Sequence, residues 1–495
     1  MNKIFFTAIS AAALLLASCD LDREPSTVLR DKDAATIEHI EAVSAGLYNG
    51  LKSVTSGQYY YNADYHTDVF FETKSSANRG GYFASWQLLA GNSDINAMWS
   101  GYYALVDRAS YALYLLDRIE AKDSDGTYAD KIAYYRAEAH LFRAYFMHQI
   151  ALRFCEDYDP ATADATPGVP CPPEHNPDAQ LPRGTLAQTY KFILDDIEAA
   201  AELENYEGEP DSFYLSKDAL TAFKAQVALQ MHNYDAASDY ASSLYDKYPL
   251  IDSADDLEKM WRDDISTETI LRLEVNSSTN LGSVSAMNDY YNGSWSASEG
   301  RFLCQPAYVL SAEAAAAFDA DNDWRYGIYV NEEAVSYSAE VLEGGILMTK
   351  FLGNRAFQTS EKVYMYRNMP KVFRIAEMYL IDAEAQYNLG GDALTPLNAL
   401  RESRGLDALS VSGDELLKEI KLERMREMIG EGHRLTDLKR WGDGFYVNPQ
   451  PAFKTYVRRE VVVVDAGDYQ FVWPIPQEEI SNNRNISDSD QNPGY

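Results

Sequence analysis

Apolar residues recur at helical spacing along most of the chain. Between 96 and 120, for example, Trp99, Tyr103, Val106 and Leu113 follow one another at near-helical steps. This periodicity is typical of amphipathic helices whose apolar stripe faces a core. It predicts long helices over 36–52, 96–120, 130–154, 186–204 and 217–231.

Two segments break the helical pattern. Residues 157–182 are rich in Pro, Asp and Ala and include Pro170, Pro172 and Pro173, which predicts an extended crossing loop. Residues 273–362 show poor helical periodicity and frequent Gly, Ser, Asn and Tyr. Because long insertions of this sort are usually functional, we expect ligand contacts within 273–362.

Two stretches look like internal repeats. Residues 228–241 and 383–393 each place small residues where paired antiparallel helices must touch, which is the arrangement of tetratricopeptide repeats. Their spacing does not follow a clean period of about 34 residues, so the repeats alone do not define the fold. With the helical pattern they predict a mainly α fold, in which a tetratricopeptide-like scaffold of helical pairs carries an irregular, loop-rich central insertion.

Composition and charge narrow the classes of partner. The 495-residue chain has a formal net charge of -33 and is 46% hydrophobic, which is ample for a large core. Binding to nucleic acid requires clustered Lys and Arg, so this balance argues against a nucleic-acid partner. It also disfavours broad docking on anionic lipid.

The N-terminal residues have the pattern of a bacterial lipoprotein signal. Lys3 precedes an apolar run over 4–17 that is too short to span a bilayer as a permanent helix. Residues 16–19 read Leu-Ala-Ser-Cys, a lipobox. We therefore expect 1–18 to be a signal peptide and Cys19 to carry acyl chains that bind a membrane. An ordinary secretory signal with a chance Cys is the alternative.

The remaining cysteines are too few for a disulfide framework. They are Cys155, Cys171 and Cys304. Cys155 and Cys171 flank one loop and could pair if oxidised; free structural thiols are the alternative.

Charged residues concentrate near the C-terminus. Glu423, Arg426 and Glu427 fall at helical spacing, and Gly430 and Gly432 supply backbone freedom where this helix must end. The segment predicts a polar network that locks a helix corner.

A second charged helical turn follows. Arg434 and Asp437 are three residues apart, as are Asp437 and Arg440, so each pair can meet on one helical face. Trp441 offers a large apolar anchor beside them.

Further motifs surround this corner. Residues 374–385 read RIAEMYLIDAEA and 397–401 read LNALR, while the chain closes on WPIP at 473–476 and QNPGY at 491–495. Together with the charged corner, these motifs resemble the SusD/RagB family of outer-membrane nutrient-binding lipoproteins. The segment 183–200 also resembles the corresponding segment of the family, so the resemblance extends to both halves of the chain.

The resemblance implies an architecture and a role. It implies one domain over 19–495, with a helical scaffold at 19–272 and 363–495 and a ligand-site insertion at 273–362. It implies a cell-surface lipoprotein that binds an oligosaccharide and delivers it to a SusC-like TonB-dependent outer-membrane transporter. In this family, acidic residues behind the lipidated Cys resemble a surface-export signal; in many other Gram-negative cells an Asp there favours inner-membrane retention. Such residues here are Asp20, Asp22 and Glu24.

Candidate ligand contacts lie in two regions that the family uses for its site. Residues 289–295 place aromatic side chains among small polar residues, and 59–64 and 79–86 have a comparable mixture. Aromatic faces stack on the C–H faces of sugar rings, and Asn and Asp side chains bond their hydroxyls. Packing or ion pairing is the alternative for each candidate: Trp295, Tyr291, Tyr290, Trp86, Tyr82, Asp64 and Arg79.

Catalytic and metal-binding motifs are not found in the sequence. It has no Walker loop, no G-x-S-x-G, no H-E-x-x-H and no dinucleotide fingerprint, so we predict no catalytic residue, cofactor or metal. The acidic run 319–323 has Trp324 and Val330 where an EF-hand needs Gly and Glu. A glycan-binding lipoprotein is therefore expected; an oligopeptide binder of the same family, a helical-repeat scaffold without a small-molecule site and a surface hydrolase are the alternatives.

Overall fold

The computed structural model describes residues 35–275, 284–338 and 340–495. The predicted signal peptide and the predicted lipidation residue Cys19 lie outside these ranges, as do Asp20, Asp22 and Glu24. Within them, no helix combines the length and the apolar character needed to cross a membrane.

The predicted helices of the N-terminal half are confirmed to within a few residues. The segment 186–204 is the exception, because its helix ends at Ala199 and a short 3-10 helix, Ala201–Asn205, follows. Its start is set by a capping box, in which Thr185 and Gln188 each accept the other's backbone N–H. The helices of this half are α1 (Ile37–Val54), α2 (Gln58–Tyr65), α3 (Gly81–Ala84), α4 (Ser93–Glu120), α5 (Ala129–Phe154), α6 (Leu186–Ala199), α7 (Lys217–Gln230), α8 (Tyr234–Ser242) and α9 (Ala254–Arg262).

The C-terminal half returns to helices after the central insertion, and the predicted mainly α fold is confirmed. The predicted charged corner is the end of one helix and the start of the next, with Gly430 and Gly432 at positive φ between them. One short helix, α10 (Ala312–Ala316), lies within the insertion, and the helices after it are α11 (Ile375–Leu389), α12 (Leu394–Glu402), α13 (Asp414–Met428), α14 (Arg434–Trp441) and α15 (Gln477–Asn482).

Small residues let the helices of the scaffold approach one another closely. α4 packs against α5, and α8 packs against both α7 and α11. The two predicted repeats span the turns between paired helices, α7 with α8 and α11 with α12. Ala228, Ala237 and Ala241 of the first repeat and Ala383 and Ala385 of the second are buried, as the repeat pattern requires.

The central insertion contains a four-stranded sheet, which the sequence did not predict. Two of its strands have only four residues each, and a register shift between Glu333 and Val335 interrupts the pairing of the two longer ones, so the segment shows no clear alternation of apolar and polar residues. Their order is β3-β4-β6-β7, and β3 pairs antiparallel with β4 so that Trp295 lies opposite Phe302. The strands are β3 (Gly293–Ser296), β4 (Arg301–Cys304), β6 (Val330–Tyr337) and β7 (Glu340–Met348).

Two-stranded sheets tie the insertion to the scaffold. β2 (Thr269–Arg272) precedes the insertion and β8 (Lys371–Arg374) follows it, and they pair antiparallel. The chain therefore leaves and re-enters the scaffold side by side. β1 (Phe70–Glu72) of the scaffold pairs with β5 (Tyr308–Leu310) of the insertion, whereas β9 (Phe445–Val447) and β10 (Val462–Val464) pair within the scaffold. The predicted crossing loop at 157–182 is confirmed, since no helix or strand forms there.

Candidate functional site

Three half-buried aromatic side chains lie next to one another, two on the sheet of the insertion and one in the segment just after the insertion. The ring of Trp295 meets that of Phe302 edge-on, with centroids 5.4 Å apart. Phe302 in turn contacts Tyr364 at 4.5 Å. The exposed Lys362 places its Nζ 4.6 Å from the centroid of Trp295. We call Trp295, Phe302 and Tyr364 the aromatic row.

Buried residues hold the aromatic row in position. Tyr291 lies beneath it, edge-on to Tyr364 at 5.6 Å. Strand β3 passes close over Tyr291, because a Cβ atom added at Gly293 would lie 2.4 Å from that ring. The backbone N–H of Gly293 also donates to the Tyr366 hydroxyl at 2.9 Å. Gly at position 293 thus lets the strand and the tyrosine ring approach each other.

A polar patch lies at the start of the segment 289–295, which leads to Trp295. The guanidinium of Arg79, 60% exposed, lies 2.7 Å from the buried carboxylate of Asp289. Burial raises the pKa of Asp289, and the charge of Arg79 opposes that rise. Half-exposed Tyr61 lies nearby, and its pKa is raised to about 12 by burial and by Asp289. Tyr82 is 46% exposed on α3, which begins just after Arg79.

The structure buries the remaining candidate side chains. Tyr290 is 1% exposed and packs on Phe70 with centroids 4.6 Å apart. Trp86 is 8% exposed and stacks on His66 at 3.9 Å. Tyr291 lies below the aromatic row, as described above. The expectation that Tyr290, Tyr291 and Trp86 contact a ligand directly therefore does not agree with their positions.

Asp64 is buried as well and has a structural partner. Its Oδ2 accepts the backbone N–H of Gly432 at 3.3 Å. Burial raises the pKa of Asp64 to about 8, although this hydrogen bond opposes the rise. Asp64 thus joins α2 to the turn after α13 and does not face a ligand from the surface.

The charged corner near the C-terminus is a buried network. Glu427 accepts from Arg374 at 2.8 Å, Arg404 at 2.9 Å, Arg325 at 3.3 Å and the hydroxyl of Tyr329 at 3.1 Å. Burial alone would raise the pKa of Glu427, but the charges of these arginines hold it well below its ordinary value. Because Arg325 comes from the insertion and Arg404 from the scaffold, the network fixes one against the other.

One predicted pair of this corner is wrong. Arg434 does not pair with Asp437 but binds Asp68, through hydrogen bonds of 2.8 and 2.6 Å. Asp437 is occupied by Arg424 at 2.7 Å and by Arg440 at 2.9 Å. The predicted pairs of Glu423 with Arg426, at 2.9 Å, and of Asp437 with Arg440 are confirmed. Asp68, which is distant in sequence, thus binds the Arg434 guanidinium in place of the nearer Asp437.

Sequence reasoning missed Phe302, Tyr364 and Tyr61. Phe302 lies in the insertion and Tyr364 just after it, both away from the 289–295 segment; strand pairing brings Phe302 to Trp295, and tertiary packing brings Tyr364 to Phe302. Tyr61 belongs to the same aromatic segment 59–64 as the buried candidate Asp64, and composition alone does not distinguish which of its side chains stays exposed. The three cysteines that the structure describes are free, so Cys155 and Cys171 form no disulfide in it.

Models of known protein families match both halves of the chain. The model of the SusD family matches residues 287–495, and a model described as starch-binding associating with outer membrane matches residues 21–229. The chain belongs to the SusD/RagB family. Between them, the two matches include both the scaffold and most of the insertion.

Relatives at the sequence level extend over most of the chain. A SusD-like protein of Formosa agariphila is 24% identical over 483 residues, which covers 88% of this chain and 90% of that protein. The starch-binding protein SusD of Bacteroides thetaiotaomicron is 35% identical over 138 residues, which covers 28% of this chain and 23% of that protein.

Solved structures of SusD proteins share the fold. A SusD superfamily protein of Bacteroides thetaiotaomicron is 22% identical, with a TM-score of 0.74, and the match covers 92% of this chain and 100% of that one. A laminarin-binding SusD-like protein is 21% identical, with a TM-score of 0.70, over 92% of this chain and 99% of that one. The tetratricopeptide-like scaffold is therefore the fold of this SusD protein.

Proposed function

We propose that this SusD-family protein binds an oligosaccharide on the aromatic row. The observation that carries the proposal is the contact of Phe302 with both Trp295 and Tyr364, which groups three half-buried rings beside the insertion's sheet. Because the rings of Trp295 and Phe302 are nearly perpendicular, a sugar ring would stack by its C–H face on one of them and contact the edge of the other. Strand pairing and the buried Tyr291 fix the row in advance, so little ordering is needed on binding.

Lys362 is the side chain that a ligand would displace. A cation over an exposed ring contributes only about 0.5–1 kcal/mol, so its displacement by a sugar face costs little. The displaced ammonium could then donate to hydroxyl groups of the bound sugar. A single open site of this kind binds at high micromolar to millimolar concentration, about -4 to -6 kcal/mol.

The polar patch supplies hydroxyl contacts in the proposal. Arg79 has donors to spare beside Asp289, and Tyr61 and Tyr82 carry phenolic groups near it. The segment 289–295 connects this patch to the aromatic row, so one extended ligand could reach both. Arg79, Tyr82 and Trp295 remain candidate contacts, and Tyr61, Phe302 and Tyr364 join them.

Glycan is favoured over the alternatives by the form of this surface. An oligopeptide site would be a deep cleft with groups that match a peptide backbone, whereas the aromatic row is an open face. A pure scaffold would leave the insertion without a row of half-exposed rings. The printed descriptions of two similar proteins, one starch-binding and one laminarin-binding, point in the same direction.

The proposal also covers the location of the protein in the cell and the transporter that it serves. We propose a non-catalytic lipoprotein that is anchored through Cys19 in the outer membrane and faces the cell exterior. It passes its glycan to a SusC-like TonB-dependent transporter. The family model described as associating with the outer membrane supports this location.

Titration calorimetry against a panel of soluble glycans tests the binding function. The panel contains laminarin, starch, xylan and pectin oligosaccharides. We expect one class to bind at high micromolar to millimolar concentration, and the Trp295→Ala protein to bind it at least about tenfold more weakly. Equal binding by the wild-type and Trp295→Ala proteins would remove the aromatic row from the proposal.

A further inference from the structure

A second group of tyrosines lines a groove on the helical scaffold. The groove has a volume of about 470 Å³ and lies between the start of α5 and the segment 206–216. Tyr134, Tyr135, Tyr206 and Tyr214 line it. Its volume falls in the range of about 300–1,000 Å³ that is usual for small-molecule sites. None of these residues belongs to the insertion.

The tyrosines differ in exposure in a way that suits a binding groove. Tyr214 is 66% exposed at the edge, while Tyr134, Tyr135 and Tyr206 are half-buried. Tyr134 meets Tyr206 edge-on at 4.7 Å and Tyr135 at 5.4 Å. The ring of Tyr214 meets that of Tyr48 edge-on, with centroids 5.9 Å apart, so it is held in place at the edge of the groove although much of it is exposed.

A buried carboxylate holds the floor of the groove. Glu138 is fully buried and accepts from the hydroxyls of Ser44, of Tyr48 at 2.6 Å and of Tyr134 at 3.3 Å. The Tyr48 hydroxyl also accepts the backbone N–H of Leu215 at 2.9 Å. These bonds fix the ring of Tyr134 and the chain that carries Tyr214, so the groove is formed before any ligand arrives.

The polar groups of the rim suit hydroxyl recognition. Asp130, Glu209 and Ser212 line the groove and can accept or donate hydrogen bonds. Leu215 is the one aliphatic side chain of the lining. A groove for a peptide or for another helix would need more aliphatic contacts than this. Aromatic faces with carboxylate and hydroxyl groups beside them match a neutral sugar chain.

We propose that this groove is a second glycan-binding site, for a short neutral oligosaccharide or one end of a longer chain. It extends the proposed function to a different surface, so the two sites can be tested separately. Two weak sites on one molecule raise the avidity for a polymer without any new contact, provided that the polymer reaches both. A polysaccharide should therefore bind more tightly than a short oligosaccharide.

Native affinity electrophoresis in gels with laminarin, starch, xylan or pectin tests the proposal. The proteins are the wild type, Trp295→Ala, a Tyr135→Ala and Tyr214→Ala double variant, and the triple combination. Tyr446→Ala, at a tyrosine that is 59% exposed on β9, is the matched control. Tyr214→Phe keeps the ring and tests the hydroxyl. Circular dichroism melting checks that each variant is folded.

We expect retardation to fall by about threefold to tenfold in the double variant, to persist in part in Trp295→Ala and to vanish in the triple variant. Tyr446→Ala should behave as wild type. If Trp295→Ala alone removes all retardation and the double variant is unchanged, the groove proposal is overturned and the aromatic row stands. If only the double variant loses retardation, the groove stands and the aromatic row fails. The groove proposal is also overturned if no gel retards the protein. It is likewise overturned if the groove binds an oligolysine peptide and no glycan.

Discussion

The Arg79 guanidinium lies 2.7 Å from the Asp289 carboxylate, and this ion pair joins the loop before α3 to the central insertion. The two residues are far apart in sequence, in the two regions where ligand contacts were expected. Because Arg79 is largely exposed, the pair itself contributes about 0–1 kcal/mol to stability. The ion pair matters because of its position. It places the Arg79 cation, which has further N–H donors, next to the segment 289–295 that leads to Trp295.

Replacing Trp295 by Ala should reduce glycan binding without unfolding the protein. Trp295 is half-buried at the end of a short strand, so its loss removes contacts with Phe302 and Lys362 but leaves the main core intact. We expect the affinity to fall at least about tenfold, equivalent to about 1.4 kcal/mol, and the melting temperature to change little. Calorimetric titration and thermal melting measure the two quantities. Tyr446→Ala serves as the control, and a variant that melts far below wild type would show Trp295 to be a packing residue.

Replacing Glu427 by Gln should strongly destabilise the protein. Gln keeps the shape of the side chain but removes the negative charge that Arg374, Arg404 and Arg325 share, and these cations stay buried. We expect a loss of about 3–5 kcal/mol in the free energy of unfolding, measured by urea denaturation. Glu198→Gln, on the exposed side of α6, should cost less than about 0.5 kcal/mol. Glycan binding by the folded fraction should survive; its selective loss at full stability would mean that the site lies at the charged corner.

The stability of the protein should depend on pH through Asp64. Burial raises the pKa of this carboxyl to about 8, whereas in the unfolded chain it is about 4. The folded state therefore holds a proton that the unfolded state releases between these pH values, so this group makes stability fall as pH rises from about 4 to about 8. Asp64→Asn removes the ionisation. We expect the variant to become progressively more stable relative to wild type between pH 5 and pH 8 in urea denaturation, and parallel profiles would contradict the burial of an ionisable Asp64.

Replacing Cys19 by Ala should release the protein from membranes. The proposed acyl chains supply membrane affinity of about 0.8 kcal/mol per buried methylene, and the variant would lack them. We expect the variant in soluble fractions after centrifugation, with wild type in the membrane pellet. A Cys304→Ala variant, at a cysteine that is buried in the fold, is the control for loss of a thiol.

The acidic residues after Cys19 test the surface location. With Asp20, Asp22 and Glu24 replaced by Ala, the protein should remain lipidated but stay on the periplasmic side. Protease treatment of intact cells distinguishes these locations, because only a surface-exposed protein is digested. Resistance of the wild-type protein, alongside digestion of a known surface protein, would contradict delivery to an outer-membrane transporter from outside.

The sequence by itself determined the helical scaffold, the turns at Gly430 and Gly432, and the pairs of Glu423 with Arg426 and Asp437 with Arg440. These features depend on neighbours within one or two helical turns, and spacing along the chain reports such neighbours directly. The family motifs identified the fold for the same reason, since they are contiguous in the chain.

Only the tertiary structure decided which aromatic side chains remain exposed. Tyr290 and Trp295 belong to the same short segment, yet one lies in the core against Phe70 and the other on the open face of the sheet. Arg434 likewise bonds Asp68 rather than the nearer Asp437. Burial and pairing of this kind depend on which distant segments fold against a residue, and neither the four-residue strands β3 and β4 nor the irregular pairing of β6 with β7 gives the sequence a clear periodic pattern. The sequence therefore determined the scaffold and the regions of the candidate site, while long-range packing selected the side chains that face solvent.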